Sequence, residues 1–201
     1  MIRADLHIHT KYSADASISP KTIVDQLCAH PSIKAIAITD HNTLEGYRHV
    51  RQLASSYKDI LIIPAVEIGT PHGDIIILGT EEIPPTPWNI QSVIDFAKQR
   101  GALTIVTHPY RGFGLGDTAR NYSFDAIEVL NGASIPHVNK LAENLAKTMG
   151  LPGVAGSDAH SAEELWTVYT EIQATSDTDE ILKAVKNGLV KVARTEKSIH
   201  F

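Results

Sequence analysis

Cysteine is almost missing from this sequence: 201 residues contain one, Cys28. A single sulfur builds neither a disulfide framework nor a thiolate zinc module, because both need several cysteines at set spacings. Cys28 follows Leu27 in a helical pattern and reads as core rather than nucleophile. Long apolar runs are missing too. None approaches the ~20 residues that span a bilayer, and Met1-Ile2-Arg3-Ala4-Asp5 has no apolar stretch or cleavage site of a secretory signal. A cytoplasmic protein with no membrane association is expected. Aromatic residues make up 6%, and 18 basic residues face 23 acidic ones for a formal charge of −5. That balance disfavours a general grip on nucleic acid or a processive nuclease channel, leaving at most a short oligonucleotide as substrate. Neither a Gly-Lys-Ser/Thr phosphate loop nor a Gly-x-Ser-x-Gly elbow is present.

Histidine is plentiful, with ten residues. Short β-branched runs alternate with helical segments, the pattern of βα units round a parallel sheet. Strands are expected at Ile2–Ile8, Ala35–Thr39, Ile60–Val66, Ile75–Gly79, Leu103–Thr107, Ala126–Leu130, Gly153–Ala155, Tyr169–Ala174 and Leu189–Val192. Helices are expected near 20–29, 43–56, 88–100, 136–149, 161–165 and 179–187. Ser19-Pro20, Asn42 with Glu45, and Ser161 with Glu164 supply start signals, and Gly101, Gly150 and Gly188 supply stops. The chain is short for a complete eightfold barrel, for which ~250 residues are typical, so a reduced barrel within one domain fits better.

The histidines fall where strands should end. His7 and His9, two apart, leave one face of the first strand. Asp40-His41, Glu67, His108 and Asp158-Ala159-His160 each follow a later strand. Strand ends of a barrel share one rim, so imidazoles and carboxylates would converge there as a metal site. His30, His49, His137 and His200 sit in helices, a turn or the terminus and need no function.

These residues resemble the polymerase-and-histidinol-phosphatase (PHP) superfamily. The likeness rests on Asp5-Leu6-His7-Ile8-His9-Thr10 with Tyr12-Ser13 and Asp15, Thr39-Asp40-His41-Asn42-Thr43, Val66-Glu67-Ile68, Thr107-His108-Pro109-Tyr110-Arg111 and Gly156-Ser157-Asp158-Ala159-His160. It implies a single PHP domain over 1–201, folded as a compact distorted (β/α)7-type barrel with a metal cluster at the C-terminal rim of its strands. It further implies two or three divalent ions. His7, His9, Glu67 and Asp158 would hold the first, Glu67 and His108 a second, and Asp15, His41 and His160 a third. Many members carry a histidine at the start of the strand after the bridging glutamate; Asp74 stands there in this chain, with His72 as the alternative. The donor set suits zinc, manganese or iron.

Such a site would bind phosphate and hydrolyse a phosphate ester of a small metabolite or nucleotide by a metal-bound hydroxide. Arg111, three residues past His108, is the candidate to grip phosphate oxygens, with a surface ion pair as its alternative. Asp40 and Asp5 could orient histidines or accept a proton, or merely cap a helix or strand end. Glu128 and Asn131 either line the cleft or serve packing, and Gly112-Phe113-Gly114-Leu115-Gly116 reads as a lip over it. The competing readings are a non-catalytic PHP scaffold and an oligonucleotide exonuclease.

Overall fold

The computed structural model describes residues 1–195; His200 lies outside them. The described elements run β1 (Ile2–Ile8), α1 (Pro20–Ala29), β2 (Ile33–Ile38), α2 (Glu45–Ala54), β3 (Leu61–Ile63), β4 (Ala65–Thr70), β5 (Gly73–Leu78), α3 (Ile90–Gln99), β6 (Leu103–Val106), β7 (Ala126–Asn131), α4 (Pro136–Met149), β8 (Gly153–Gly156), β9 (Val168–Ile172), α5 (Thr178–Lys186) and β10 (Val190–Arg194). A 3-10 helix occupies Gly116–Asn121. No helix among these residues is long and apolar enough to cross a membrane.

Local chemistry explains where the helices start. Ser19 accepts a hydrogen bond from the Thr22 backbone N–H, and Pro20 fills the first turn of α1, where a missing N–H costs nothing. Pro136 opens α4, which Gly150 closes in the left-handed conformation. Two expected starts are corrected. Asn42 does not cap α2, because it stands at φ +59° and its Oδ1 accepts from the Gly69 N–H at 2.9 Å, a tertiary bond that takes the side chain away. No helix forms over 161–165; Glu164 bonds the backbone N–H groups of His160 and Ser161, each at 2.8 Å, but the segment stays a turn that gives way to Trp166 at φ +66°.

The strands form two five-stranded sheets, in the orders β10-β9-β1-β2-β3 and β4-β5-β6-β7-β8. The expected parallel sheet is mixed instead. β1, β2 and β3 pair in parallel, as do β6, β7 and β8, whereas β4-β5-β6 and β1-β9-β10 are antiparallel. A parallel neighbour needs a crossover of a dozen or more residues, and Pro71-His72 between β4 and β5 permits only a hairpin. The single strand expected over Ile60–Val66 divides at Pro64, which has no N–H to give to a ladder; β3 then pairs with β2, and β4 with β5. Among the described residues, main-chain pairing joins the two sheets through isolated bridges, Ile8 to Ala159 and His41 to Glu67.

Alternation along the strands separates two apolar clusters. Ala4, Leu6, Ala35, Ala37, Ile76 and Ile105 pack with Ile181 and Val185 of α5, while Ile36, Ile38, Ile75 and Ile77 pack with the other helices. Small alanines on one strand face let facing sheets approach. Gly156 carries this furthest, since a Cβ there would lie 2.2 Å from the Cβ of His7. Close contact between β8 and β1 thus delivers the ends of both strands to one rim.

Candidate metal centre

The rim is built from strand ends and the residues just past them. His7 is the penultimate residue of β1 and His9 follows the strand; His41 lies beyond β2, Glu67 is within β4, His108 lies beyond β6, and Asp158 and His160 lie beyond β8. Asp74 comes from the start of a strand, yet reaches the same rim because β5 runs antiparallel to β4, placing Asp74 opposite Gly69. His108 and Asp158 have positive φ, +25° and +55°. Non-glycine residues in this region are strained, by about 1–3 kcal/mol each, and such strain concentrates at functional sites.

Four side chains meet most closely. His7 Nε2 is 3.0 Å from His9 Nε2, 3.3 Å from Glu67 Oε2 and 3.2 Å from Asp158 Oδ1. His9 Nε2 stands 3.4 Å from the same glutamate oxygen and 3.2 Å from the same aspartate oxygen. On the other side of Glu67, Oε1 lies 3.3 Å from His108 Nε2, and His41, Glu67 and Asp74 form a further group. Asp15 Oδ2 lies 3.4 Å from His41 Nε2 and 3.3 Å from His160 Nε2, and His9, His41 and His160 form another group. His72 is exposed and is not among the residues that converge on the cleft.

This arrangement fits divalent ions. Glu67 is fully buried and neither carboxylate oxygen has a hydrogen-bond donor, an expensive state for a buried charge unless something else shares it. Donors about 2.0–2.2 Å from a tetrahedral ion stand roughly 3.3 Å from one another, which is the spacing among His7, His9, Glu67 and Asp158. Electrostatics agree. Burial would raise Glu67, but His7, His108 and His9 outweigh it and hold the carboxyl well below its usual pKa. Burial would lower His7, but Asp158, Glu128 and Glu67 raise it well above the imidazole range. Asp74, raised to about 6 by burial and then by Glu67, lacks a comparable partner. An ion binding among these groups takes the place of imidazole protons.

A second layer fixes the rings. Glu128 Oε1 lies 2.9 Å from His7 Nδ1, and Oε2 accepts from the His108 backbone N–H at 2.8 Å and from Asn131 Nδ2 at 3.0 Å. A carboxylate only accepts, so His7 carries its proton on Nδ1 and turns Nε2 inward. For His9 the same task falls to Ser13. Its Oγ accepts from the His41 backbone N–H at 3.0 Å and donates to Asp40 Oδ1 at 3.0 Å, leaving one lone pair for His9 Nδ1 at 3.2 Å. A hydroxyl has one proton and two lone pairs, so His9 must donate from Nδ1, and its Nε2 is free.

Asp40 therefore reaches His9 only through Ser13, its remaining bonds going to Thr10 N at 2.6 Å and Thr10 Oγ1 at 2.7 Å. Asp5 does not touch a histidine ring. It accepts from the Ser157 N–H at 2.8 Å, tying β1 to the segment after β8, and burial raises its pKa to about 7. Arg111 is 2.6 Å from Asp158 Oδ2 and donates to Asn131 Oδ1 at 3.0 Å, while Asn131 Nδ2 donates to Asp158 Oδ2 at 3.1 Å. Ser13 stands among the residues that carry the family resemblance but was given no role there; its hydrogen bonds to Asp40, His41 and His9 supply one.

The cleft over these groups holds about 290 Å³ and is lined by Glu67, Asp74, His108, Asp158, Arg111 and Phe113 among others. A larger cavity of about 650 Å³ lies between α3 and α5, away from every ligand-type group of the rim. It brings no comparable set of donors together, so the chemistry is assigned to the smaller cleft.

An α/β protein with convergent imidazoles and carboxylates on one rim belongs among proteins that use divalent metal. Comparison with known proteins narrows the class. The PHP-associated (PHP_C) family profile matches residues 136–190. The uncharacterized protein MJ1587 of Methanocaldococcus jannaschii is 32% identical over 157 residues, covering 72% of this chain and 89% of its own length. The chain belongs to the PHP superfamily. Among solved structures, a two-domain protein from Bacteroides vulgatus containing a predicted PHP-like metal-dependent phosphoesterase superposes with a TM-score of 0.77 at 19% identity, over 96% of this chain and 64% of that one. An amidohydrolase from Chromobacterium violaceum with bound sulfate gives 0.64 at 17% identity, covering 79% of this chain and 87% of that one. Likeness at such identities is likeness of fold.

Proposed function

We infer that this protein is a metal-dependent phosphoesterase that hydrolyses a phosphate ester of a small metabolite or nucleotide, acting as one domain in which the bridged sheets form a distorted (β/α)7-type barrel. The observation that carries the reading is Glu67, buried without a hydrogen-bond donor between the Nε2 atoms of His7 and His9 on one oxygen and of His108 on the other. His7, His9, Glu67 and Asp158 would hold one ion, Glu67, Asp74 and His108 a second, and Asp15, His41 and His160 a third. Divalent ions so held supply Lewis acidity and a water activated near neutral pH.

The chain's own residues do the rest. Glu128 and the Ser13–Asp40 pair keep two imidazoles turned inward. Arg111, one third exposed at the cleft, offers a guanidinium whose fork matches two phosphate oxygens. Asp40 is fully buried and committed to Thr10 and Ser13, so it positions His9 and does not transfer a proton to substrate.

Protein reconstituted with manganese or zinc should turn over p-nitrophenyl phosphate, its bis-ester or members of a nucleotide and sugar-phosphate panel. Arg111→Ala should cut kcat/KM by about 100-fold while keeping its metal count, by analogy with loss of one charge-stabilising donor. Absence of metal-dependent turnover with ions shown to be bound would transfer the protein to the scaffold reading.

A further inference from the structure

Metal ligands account for the floor of the cleft but not for the lip at its mouth. Phe113 lines the cleft beside Arg111 and Gly112, yet 83% of its surface is exposed. Its backbone stands at φ +62°, where a bulky side chain is strained. A single exposed apolar residue is ordinary, and a mobile loop would relieve both the exposure and the strain by turning.

This loop is anchored. The carbonyl of Phe113 accepts from the Asp74 N–H at 2.8 Å, the Gly114 N–H donates to the Arg111 carbonyl at 3.0 Å, and the Gly116 N–H donates to the Pro109 carbonyl at 2.7 Å. The turn between β4 and β5 presses against it. At Gly73, φ +143°, an added Cβ would stand 2.9 Å from the Phe113 carbonyl and from the main chain of Gly114 and Leu115, so the two backbones meet only because residue 73 has no side chain. The ring is thus held in the open on a fixed base, two residues from the guanidinium and hydrogen-bonded through its own carbonyl to the strand that carries Asp74. The other most exposed apolar side chains, Met1 and Ile135, do not line the cleft.

We propose that Phe113 is a stacking platform for the organic group of the substrate, and that this substrate is a phosphate ester whose alcohol part carries a planar aromatic or heteroaromatic ring. The phosphoryl end rests on the phosphoesterase reading above; the ring end rests on Phe113. With its phosphorus over the ligands, an ester in a cleft of about 290 Å³ directs its organic group out through the mouth, past this ring. Flat rings stack on a phenyl face whatever their substituents, which gives preference for a shape rather than one compound.

Phosphonates test the platform without turnover, because their carbon–phosphorus bond replaces the ester bond. Calorimetric titration of manganese-loaded protein should show phenylphosphonate binding about tenfold tighter than methylphosphonate or cyclohexylphosphonate. The ratio should fall to about one in Phe113→Ala and in Phe113→Asn, the latter suited to positive φ, and should return in Phe113→Tyr. Equal binding of the three compounds by wild-type protein, or a preference that survives both substitutions, overturns the proposal. Steady-state kinetics identify the ring. A KM in Phe113→Asn that rises about tenfold for adenosine 5′-monophosphate assigns a nucleobase, one that rises for phenyl phosphate assigns an aryl group, and a KM unmoved for both overturns the platform. If wild-type protein with its ions bound turns over neither these two esters nor any member of the panel above, the phosphoesterase reading alone fails, and the phosphonate ratio still decides the platform.

Discussion

A hydroxyl with one proton decides how one imidazole of the rim faces. Ser13 spends its proton on Asp40 and receives the His41 N–H, so the ring of His9 can only donate to it. Outer partners of metal-bound histidines typically matter 10–100-fold in affinity. Ser13→Ala should therefore weaken binding of the ion shared by His7 and His9 by about that factor in competition with a chromophoric chelator, and Ser13→Thr, which keeps the hydroxyl, should recover most of it. Equal affinity in Ser13→Ala would show that the ring is fixed by packing alone. The groups that meet on the rim were legible from the chain, because His7, His9, His41, His108 and Asp158 each fall at or just past the end of an expected strand, and strand ends share a rim. Ser13 stood in the motif without a role, because its partners Asp40 and His41 follow β2 and become neighbours only in the folded protein. The choice between Asp74 and His72 likewise turned on a hairpin that places one beside Glu67 and leaves the other in solvent.

Elements were legible where punctuation is local. Ser19-Pro20 and Pro136 with Gly150 fix α1 and α4 to the residues expected, since caps and proline act within one turn. Where a side chain was drawn into a distant bond, as Asn42 was by Gly69, the local signal misled. The sense of β5 was hidden for a related reason: a four-residue turn and a strand end look alike until pairing chooses. Contact between β1 and β8 has its own test. A Cβ at position 156 would sit 2.2 Å from the His7 Cβ and 2.7 Å from its backbone nitrogen, neither of which can swing aside. Gly156→Ala should lower stability by about 1–3 kcal/mol, the range for overpacking, in urea titration, and should also reduce bound metal. Unchanged stability would mean that the strands separate without cost and that their closeness does not shape the rim.

Across the whole molecule, the side chains that converge on the rim draw on both sheets. His7 and His9 come from the β1 end of one sheet, and Glu67, Asp74, His108 and Asp158 come from the other. Among the described residues two isolated backbone bridges, at different junctions, join the same two sheets, so bound ions would act as staples across the seam between the halves. Ligand at 1,000 times its dissociation constant stabilises by about 4 kcal/mol, and each kcal/mol shifts the midpoint of a domain this size by about 2–4 °C. Thermal unfolding of chelator-treated protein should accordingly begin about 10 °C below that of the reloaded form; coincident curves would remove the ions from the seam. The same seam sets an order of events during synthesis. A nascent chain that has emerged through His41 displays His7, His9, Asp15 and His41 with no Glu67 to bridge them, and Asp158 follows only after most of the chain has been made. A set dominated by imidazole, with Asp15 as its one rim carboxylate, would lean toward copper or nickel over harder ions. The carboxylates made later would rebalance that preference, so the ion the mature protein keeps would be chosen late, after translation has passed residue 158.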